Sequence, residues 1–236
     1  MAVEPPVPSN VLDALRRIET CMVCNAIETF ELRLRNTGYA DSRIRCMFED
    51  FPPMVGYAAT ARVRTEGPPI TGSGFRGYRE RTDWWYSILQ IPEPRIVVLE
   101  DMDKSPGIGA FLGDGHAAIL RALGCVGYGT DGAVRELPQI QELELQLFAG
   151  SVSVSHAYAH IFDFGKIVRV GGLEVRPGDL LHGDRHGLLS VPVEIASKIP
   201  AAADRLQNVK QTVVNYCLSP DFSVEGLRKI LNGLIY

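Results

Sequence analysis

Apolar side chains recur every three or four positions over residues 11–35 (VLDALRRIETCMVCNAIETFELRLR). That is the period of a helix with one buried face, with Ser9 or Asn10 near its start. The period then changes. Val55–Arg64 (VGYAATARVR) alternates small, apolar and polar residues and predicts a strand. Arg95–Glu100 (RIVVLE) is almost continuously apolar, as in a strand buried on both faces. Between them, residues 65–79 are rich in Gly and Pro and read as a loop, followed by a short helix around Thr82–Leu89. Ser105–Gly115 (SPGIGAFLGDG) reads as a loop and His116–Leu123 as a helix. Gly124 is placed just past that helix, Cys125–Gly129 is a strand of small residues, and Thr130–Ala133 is a turn. Further strands are expected in Leu147–Val154, Lys166–Val170, Leu173–Val175 and Gly187–Val191, with turns at Gly171-Gly172 and Pro177-Gly178. Residues 193–216 and 223–234 are helical, broken at Ser219-Pro220. No repeat or linker forces a boundary, so the pattern predicts one α/β domain over residues 1–236 with helical ends.

Composition narrows the function classes. With 46% apolar and 22% charged residues among 236, the chain can build a sizeable core and is not disordered. Its 24 basic and 28 acidic residues give a net charge of −4, which argues against a general nucleic-acid binder and against an anionic membrane as the main partner. No apolar run approaches the ~18 residues of a membrane span. The first ten residues carry an acid and three prolines instead of a basic segment ahead of an apolar one, so no signal peptide is expected and the cytoplasm is the expected compartment. Cys21, Cys24, Cys46, Cys125 and Cys217 have no regular spacing. The Cys21/Cys24 pair lies inside a helical pattern and no second pair answers it, so free thiols are expected, with no disulfide or zinc.

The chemistry concentrates in Gly113–Glu136 (GDGHAAILRALGCVGYGTDGAVRE). A helix from Gly115 to Leu123 rises about 13 Å at ~1.5 Å per residue. The strand Cys125–Gly129 returns about 16 Å at ~3.3 Å per residue. Arg135 and Glu136 can therefore lie near the helix start at Asp114–His116, where unpaired N–H groups and the positive dipole end suit a carboxylate. Gly113 and Gly115 keep side chains clear of that end. Arg135 supplies a planar cationic fork for carboxylates and enolates. Asp114 and Glu136 supply the hard oxygen donors that Mg²⁺ or Mn²⁺ prefers. Each residue also has an ordinary reading: Asp114 as a helix N-cap, Arg135–Glu136 as a surface ion pair.

The segment closely resembles the signature of the RraA-like family, which includes metal-dependent 4-hydroxy-4-methyl-2-oxoglutarate and 4-carboxy-4-hydroxy-2-oxoadipate aldolases. The matching residues are Gly113-Asp114, then Asp131-Gly132-Ala133-Val134-Arg135-Glu136, with 21 residues between the glycine and the arginine. A supporting match is the hairpin-like Pro177–Gly187 (PGDLLHGDRHG). The likeness covers about residues 20–195, leaving residues 196–236 as a C-terminal helical extension. It implies a swivelling three-layer β/β/α domain with a mixed, barrel-like sheet, assembled as a homotrimer or hexamer with the site at a subunit interface. By the same resemblance, Arg135 contacts a small 2-oxo acid and steadies its enolate. Glu136 binds Mg²⁺ or Mn²⁺, Asp114 orients metal-bound water, and the N–H groups of Gly115 and His116 hold the substrate carboxylate. The implied activity is retro-aldol cleavage through a pyruvate enolate, with oxaloacetate decarboxylation as the related reaction. Two departures stand out. Glu136 replaces the family's usual Asp and is longer by about 1.5 Å, and Gly115-His116 replaces the aldolases' leucines. Other family members bind a ribonuclease or helicase and regulate RNA processing without catalysis, which is the alternative reading.

The histidines supply a third. His156 and His160 would share one face of a helix, and His182, Asp184 and His186 one face of a strand. That arrangement would suit a second metal site or a lyase or hydrolase working from a His-rich face, although hydrogen-bonded structural histidines are the ordinary case. Trp84-Trp85-Tyr86, with Phe75 and Tyr78, reads as core or interface before ligand shelf. Arg76, Arg79 and Arg81 are diluted by Glu80 and Asp83 and read as a solvated face. Glu194 and the tail helices are candidates to complete a neighbouring subunit's site.

Overall fold

The computed structural model describes residues 4–69 and 82–233. In chain order, two short helices, α1 (Ser9–Leu15) and α2 (Thr20–Glu28), lead to β1 (Arg45–Cys46), β2 (Met54–Arg64), α3 (Thr82–Leu89) and β3 (Arg95–Asp101). Then come β4 (Ala110–Leu112), α4 (Asp114–Ala122), β5 (Cys125–Thr130), β6 (Ala133–Val134), α5 (Leu137–Glu142), β7 (Gln146–Ala149) and β8 (Ser151–Val152). The last strands are β9 (His160–Phe164), β10 (Val168–Val170), β11 (Leu173–Val175), β12 (Leu180–Asp184) and β13 (Gly187–Val191). A 3-10 segment, Val193–Lys198, enters α6 (Ile199–Cys217), and α7 (Val224–Gly233) follows.

The main sheet is mixed and nearly closed into a barrel, in the order β1-β7-β5-β3-β2-β12-β13, with β9 beside β2. β2, β3, β5 and β7 run parallel; β12 and β9 pair antiparallel with β2. The apolar run of β3 follows from its central place, since residues 95–99 and 101 are buried. One face of the sheet carries the inner core of Met54, Ala58, Ile96, Val98, Phe148 and Leu188. Both helix groups lie against the opposite face, α1, α2 and α6 over Val55, Tyr57, Leu180 and Leu189, and α3, α4 and α5 over Ala59, Val97, Leu99 and Tyr128. A second, parallel sheet of three short strands, β4-β6-β8, stands apart from the first.

Several expectations change. The helix over 11–35 is two helices and an irregular tail. His182 Nε2 binds the Leu15 carbonyl at 3.0 Å, and Asp184 Oδ2 accepts the Thr20 N–H at 2.8 Å. β12 therefore satisfies the carbonyl that ends α1 and the amide that opens α2, and the break between them is stabilised from outside. The expected loop 105–115 contains β4, and Ala133 belongs to β6 and not to a turn. Leu147–Val154 is divided at Gly150 between the two sheets. His156 and His160 share no helix: the first lies in a loop and the second opens β9. His186 lies in the two-residue turn after β12, so only His182 and Asp184 alternate on the strand.

Candidate active site

The small sheet positions the site. β4 and β6 are parallel, and the Arg135 N–H extends their ladder to the Leu112 carbonyl at 3.1 Å. Residues 113–114 and 135–136 therefore leave neighbouring strand ends side by side. At its other end α4 is held by Arg95, buried against Ile91 and Leu123. Its Nη1 donates to the Leu123 carbonyl and to Glu93 Oε1, each at 2.7 Å. Gly124, at φ +74°, turns the chain back into β5 as expected of a residue just past a helix. In the sequence Arg95 reads only as the start of a strand; its role as a clamp depends on Leu123, 28 positions away.

Glu136 is the residue that closes the group. Its backbone is left-handed, φ 58° and ψ 41°, a conformation that costs a non-glycine residue ~1 kcal/mol or more. This turn carries its carboxylate back over the start of α4. Oε2 accepts the Asp114 N–H at 3.0 Å, and Oε1 is paired with the Arg135 guanidinium. The Asp114 amide, then Arg135, holds the Glu136 carboxyl below its ordinary pKa, so the group is anionic. Gly113 makes room: a Cβ there would stand 2.4 Å from Glu136 Oε2. Gly113 itself is the N-cap of α4, with extended φ and ψ, and Asp114 is the first helical residue. Asp114 is exposed, and its Oδ1 accepts the neighbouring Gly115 N–H at 2.6 Å. A substrate carboxylate seated on that amide would replace Asp114 Oδ1. The His116 ring lies flat on Phe111, with centroids 5.2 Å apart and planes 12° apart; Phe111 meets Trp84 edge-on at 5.7 Å.

The site residues read from the sequence, Gly113, Asp114, Gly115, His116, Arg135 and Glu136, are thus gathered at the N-terminus of α4. Asp114 and Glu136 are adjacent hard-oxygen donors, each with lone pairs left over. They suit a hard cation such as Mg²⁺ or Mn²⁺ that takes one or two carboxylates and completes its shell with water and substrate. Among the described residues no group of three or more His, Cys, Asp or Glu side chains forms a metal cage, so most of such a shell would come from outside the chain.

The other candidates have structural partners. His182 is fully buried, its Nδ1 2.9 Å from Thr20 Oγ1. Nε2 donates to the Leu15 carbonyl, and burial lowers the ring's pKa and so favours the neutral form, in which Nδ1 accepts from the Thr20 hydroxyl. His186 and Asp184 bond to each other at the end of β12. His156 and His160 each have Nδ1 within hydrogen-bond distance of a loop carbonyl. Trp84 is core, whereas Tyr86 is exposed. Glu194 is exposed on the 3-10 segment. Phe75, Tyr78, Arg76, Arg79, Arg81 and Glu80 lie outside the described residues. The setting of Asp131, between β5 and β6, is not apparent from the sequence. Asp131 accepts the Asp101 N–H at 2.8 Å, and burial pushes its pKa up to about 6.

Solved structures share the fold. An uncharacterized protein from Pseudomonas syringae pv. tomato superposes with a TM-score of 0.73 at 17% identity, over 99% of this chain and 98% of that one. Streptomyces coelicolor RraAS2, described as an unusual member of the RNase ES inhibitor RraA protein family, gives 0.68 at 21% identity, over 89% of this chain and 98% of its own. A Halalkalibacterium halodurans protein, provisionally named 4-hydroxy-4-methyl-2-oxoglutarate aldolase, is 30% identical over 84 residues, 35% of this chain and 40% of that protein. The match therefore spans less than half of that relative's length. The RraA-like (Aldolase/RraA) family pattern matches residues 11–189, most of the chain, and the chain belongs to that family.

Proposed function

We propose that this chain is a divalent-metal-dependent lyase that cleaves or decarboxylates a small 2-oxo acid through a pyruvate enolate. The observation that carries the reading is the closure of Glu136 over α4: its carboxylate, the Arg135 guanidinium and the Asp114 carboxylate share one exposed helix N-terminus. Mg²⁺ or Mn²⁺ held by Glu136 and Asp114 would act as a Lewis acid toward the keto oxygen. Arg135 and the first N–H groups of α4 bind the 2-oxo acid head and keep it in register. As the C3–C4 bond breaks, its electron pair becomes the C2–C3 double bond and the keto oxygen takes the negative charge, facing Arg135. Asp114 takes the C4-hydroxyl proton through a water, leaving a carbonyl on the departing fragment. The same enolate would form when oxaloacetate loses carbon dioxide. A small 2-oxo acid substrate, Mg²⁺ or Mn²⁺, and a homotrimeric or hexameric assembly belong to this one proposal.

A second reading, a non-catalytic regulator of RNA processing, draws on the fact that both Glu136 oxygens are already bonded within the chain. One assay separates the two. Pyruvate release from oxaloacetate and 4-hydroxy-4-methyl-2-oxoglutarate is expected with Mg²⁺ or Mn²⁺, is abolished by EDTA, and falls at least ~100-fold in Arg135→Ala and Glu136→Ala. No release from either compound by folded protein supplied with metal would remove the lyase reading and leave the regulator.

A further inference from the structure

We infer that the seam between the two sheets carries a second binding site, which takes the phosphate group of a phosphorylated small molecule. β1 with its flanking residues and the turn from β7 to β8 enclose an open cavity of about 710 Å³, whose lining includes Ser42, Arg43, Arg45, Gly150 and Ser151. These residues are distinct from the group at the start of α4, and β1 and β8 are the terminal strands of their respective sheets. Gly150 is where the chain passes from one sheet to the other. A Cβ there would stand 2.4 Å from the Asp131 carbonyl oxygen, which is backbone and cannot swing aside, so this wall of the cavity stays bare.

The donors in the lining are those of an oxyanion site. Arg43 is already neutralised, because its Nε and Nη2 donate to both Asp41 oxygens at 2.6–3.1 Å. Arg45 is not: among the described residues no carboxylate pairs with its guanidinium and it makes no side-chain hydrogen bond to the chain. The Ser42 and Ser151 hydroxyls are likewise unbonded among the described residues. One cavity thus brings together an uncompensated cation and two uncommitted hydroxyls. A guanidinium fork engages two oxygens of a phosphate and hydroxyls donate to the third, so this donor set fits a phosphate monoester. The volume lies within the ~300–1,000 Å³ usual for small-molecule sites and leaves room for a sugar-sized body beyond the phosphate. The inference needs neither a metal nor a 2-oxo acid at α4, and it stands apart from the lyase reading.

The test compares three probes by calorimetry on the full chain: ribose 5-phosphate, ribose, and ribonate, which carries a carboxylate in place of the phosphate. Salt is held at ~0.15 M so that attraction between distant exposed charges is screened. Ribose 5-phosphate should bind with a Kd below ~1 mM, and ribose and ribonate at least ~10-fold more weakly. Arg45→Gln should weaken ribose 5-phosphate at least ~10-fold, and Arg45→Lys, which keeps the charge and loses the fork, by less. Arg45 is exposed, so these variants keep the fold. Arg135→Ala should leave the Kd within ~2-fold, because that arginine shares no partner with Arg45. No binding by folded wild-type protein, ribonate bound as tightly as ribose 5-phosphate, or a Kd unchanged in Arg45→Gln overturns the proposal. So does binding that is lost in Arg135→Ala and kept in Arg45→Gln, which would put the phosphate at the start of α4 instead.

Discussion

At the scale of single residues, the site depends on one absent side chain and one unusual backbone. Gly113 has an extended backbone that any residue could adopt, so its requirement lies in the 2.4 Å that a Cβ would leave to Glu136 Oε2. That oxygen ends a flexible side chain and can move away. Gly113→Ala should therefore keep its thermal midpoint within ~2 °C of wild type. It should also lose at least ~10-fold in pyruvate release, because Glu136 is pushed off the Asp114 amide. A fall in stability to match the fall in activity would mean that the glycine serves the fold instead. The sequence shows Gly113 and Glu136 as types at a spacing, and that much was legible. It contains no sign that Glu136 is left-handed, because Glu is not a residue that favours that region.

At the scale of elements, β12 fastens the N-terminal helices. His182 joins Leu15 and Thr20, and Asp184 joins Thr20 and His186, so two helix ends and a strand form one buried network. Protonating His182 would place a charge where burial disfavours it. Its folded-state pKa lies below the ordinary 6.5. The stabilisation is therefore full above about pH 6.5 and is lost as the pH falls through that value, where the unfolded chain takes up the proton first. Thermal midpoints measured at pH 8 and pH 5.5 should show His182→Gln destabilised by ~1–3 kcal/mol at the higher pH. At the lower pH the gap should narrow; a gap that is constant or widens there would show that His182 does not bear the pH dependence. The i, i+4 spacing of His156 and His160 misled because spacing implies a shared face only where a helix exists. The loop that Ala157 enters with φ 46° precludes one.

At the scale of the whole molecule, the family likeness and the buried core both stop before the chain does. The matched region ends at residue 189, the last buried residue of α6 is Ala203, and α7 buries none. α7 is tied mainly to the end of α6, where the Tyr216 hydroxyl bonds to Ser223 and the ring meets Phe222 at 6.0 Å. Removing residues 219–236 should accordingly lower the thermal midpoint by less than ~3 °C, under about 1 kcal/mol at this size. A larger loss in calorimetric scans would show that the last helix covers a surface essential to the fold. The elements themselves follow from local physics: the apolar run of β3, the alternation of β2 and the Gly124 stop are set by residues close in sequence. The gathering of Asp114, Arg135 and Glu136 was also within reach, because a helix and a returning strand of similar length bring their ends together. Tertiary structure alone decided the rest. The break between α1 and α2, the clamp of Arg95 on α4 and the neutral His182 each depend on partners more than 25 positions away, and no local pattern encodes a contact made across the sheet.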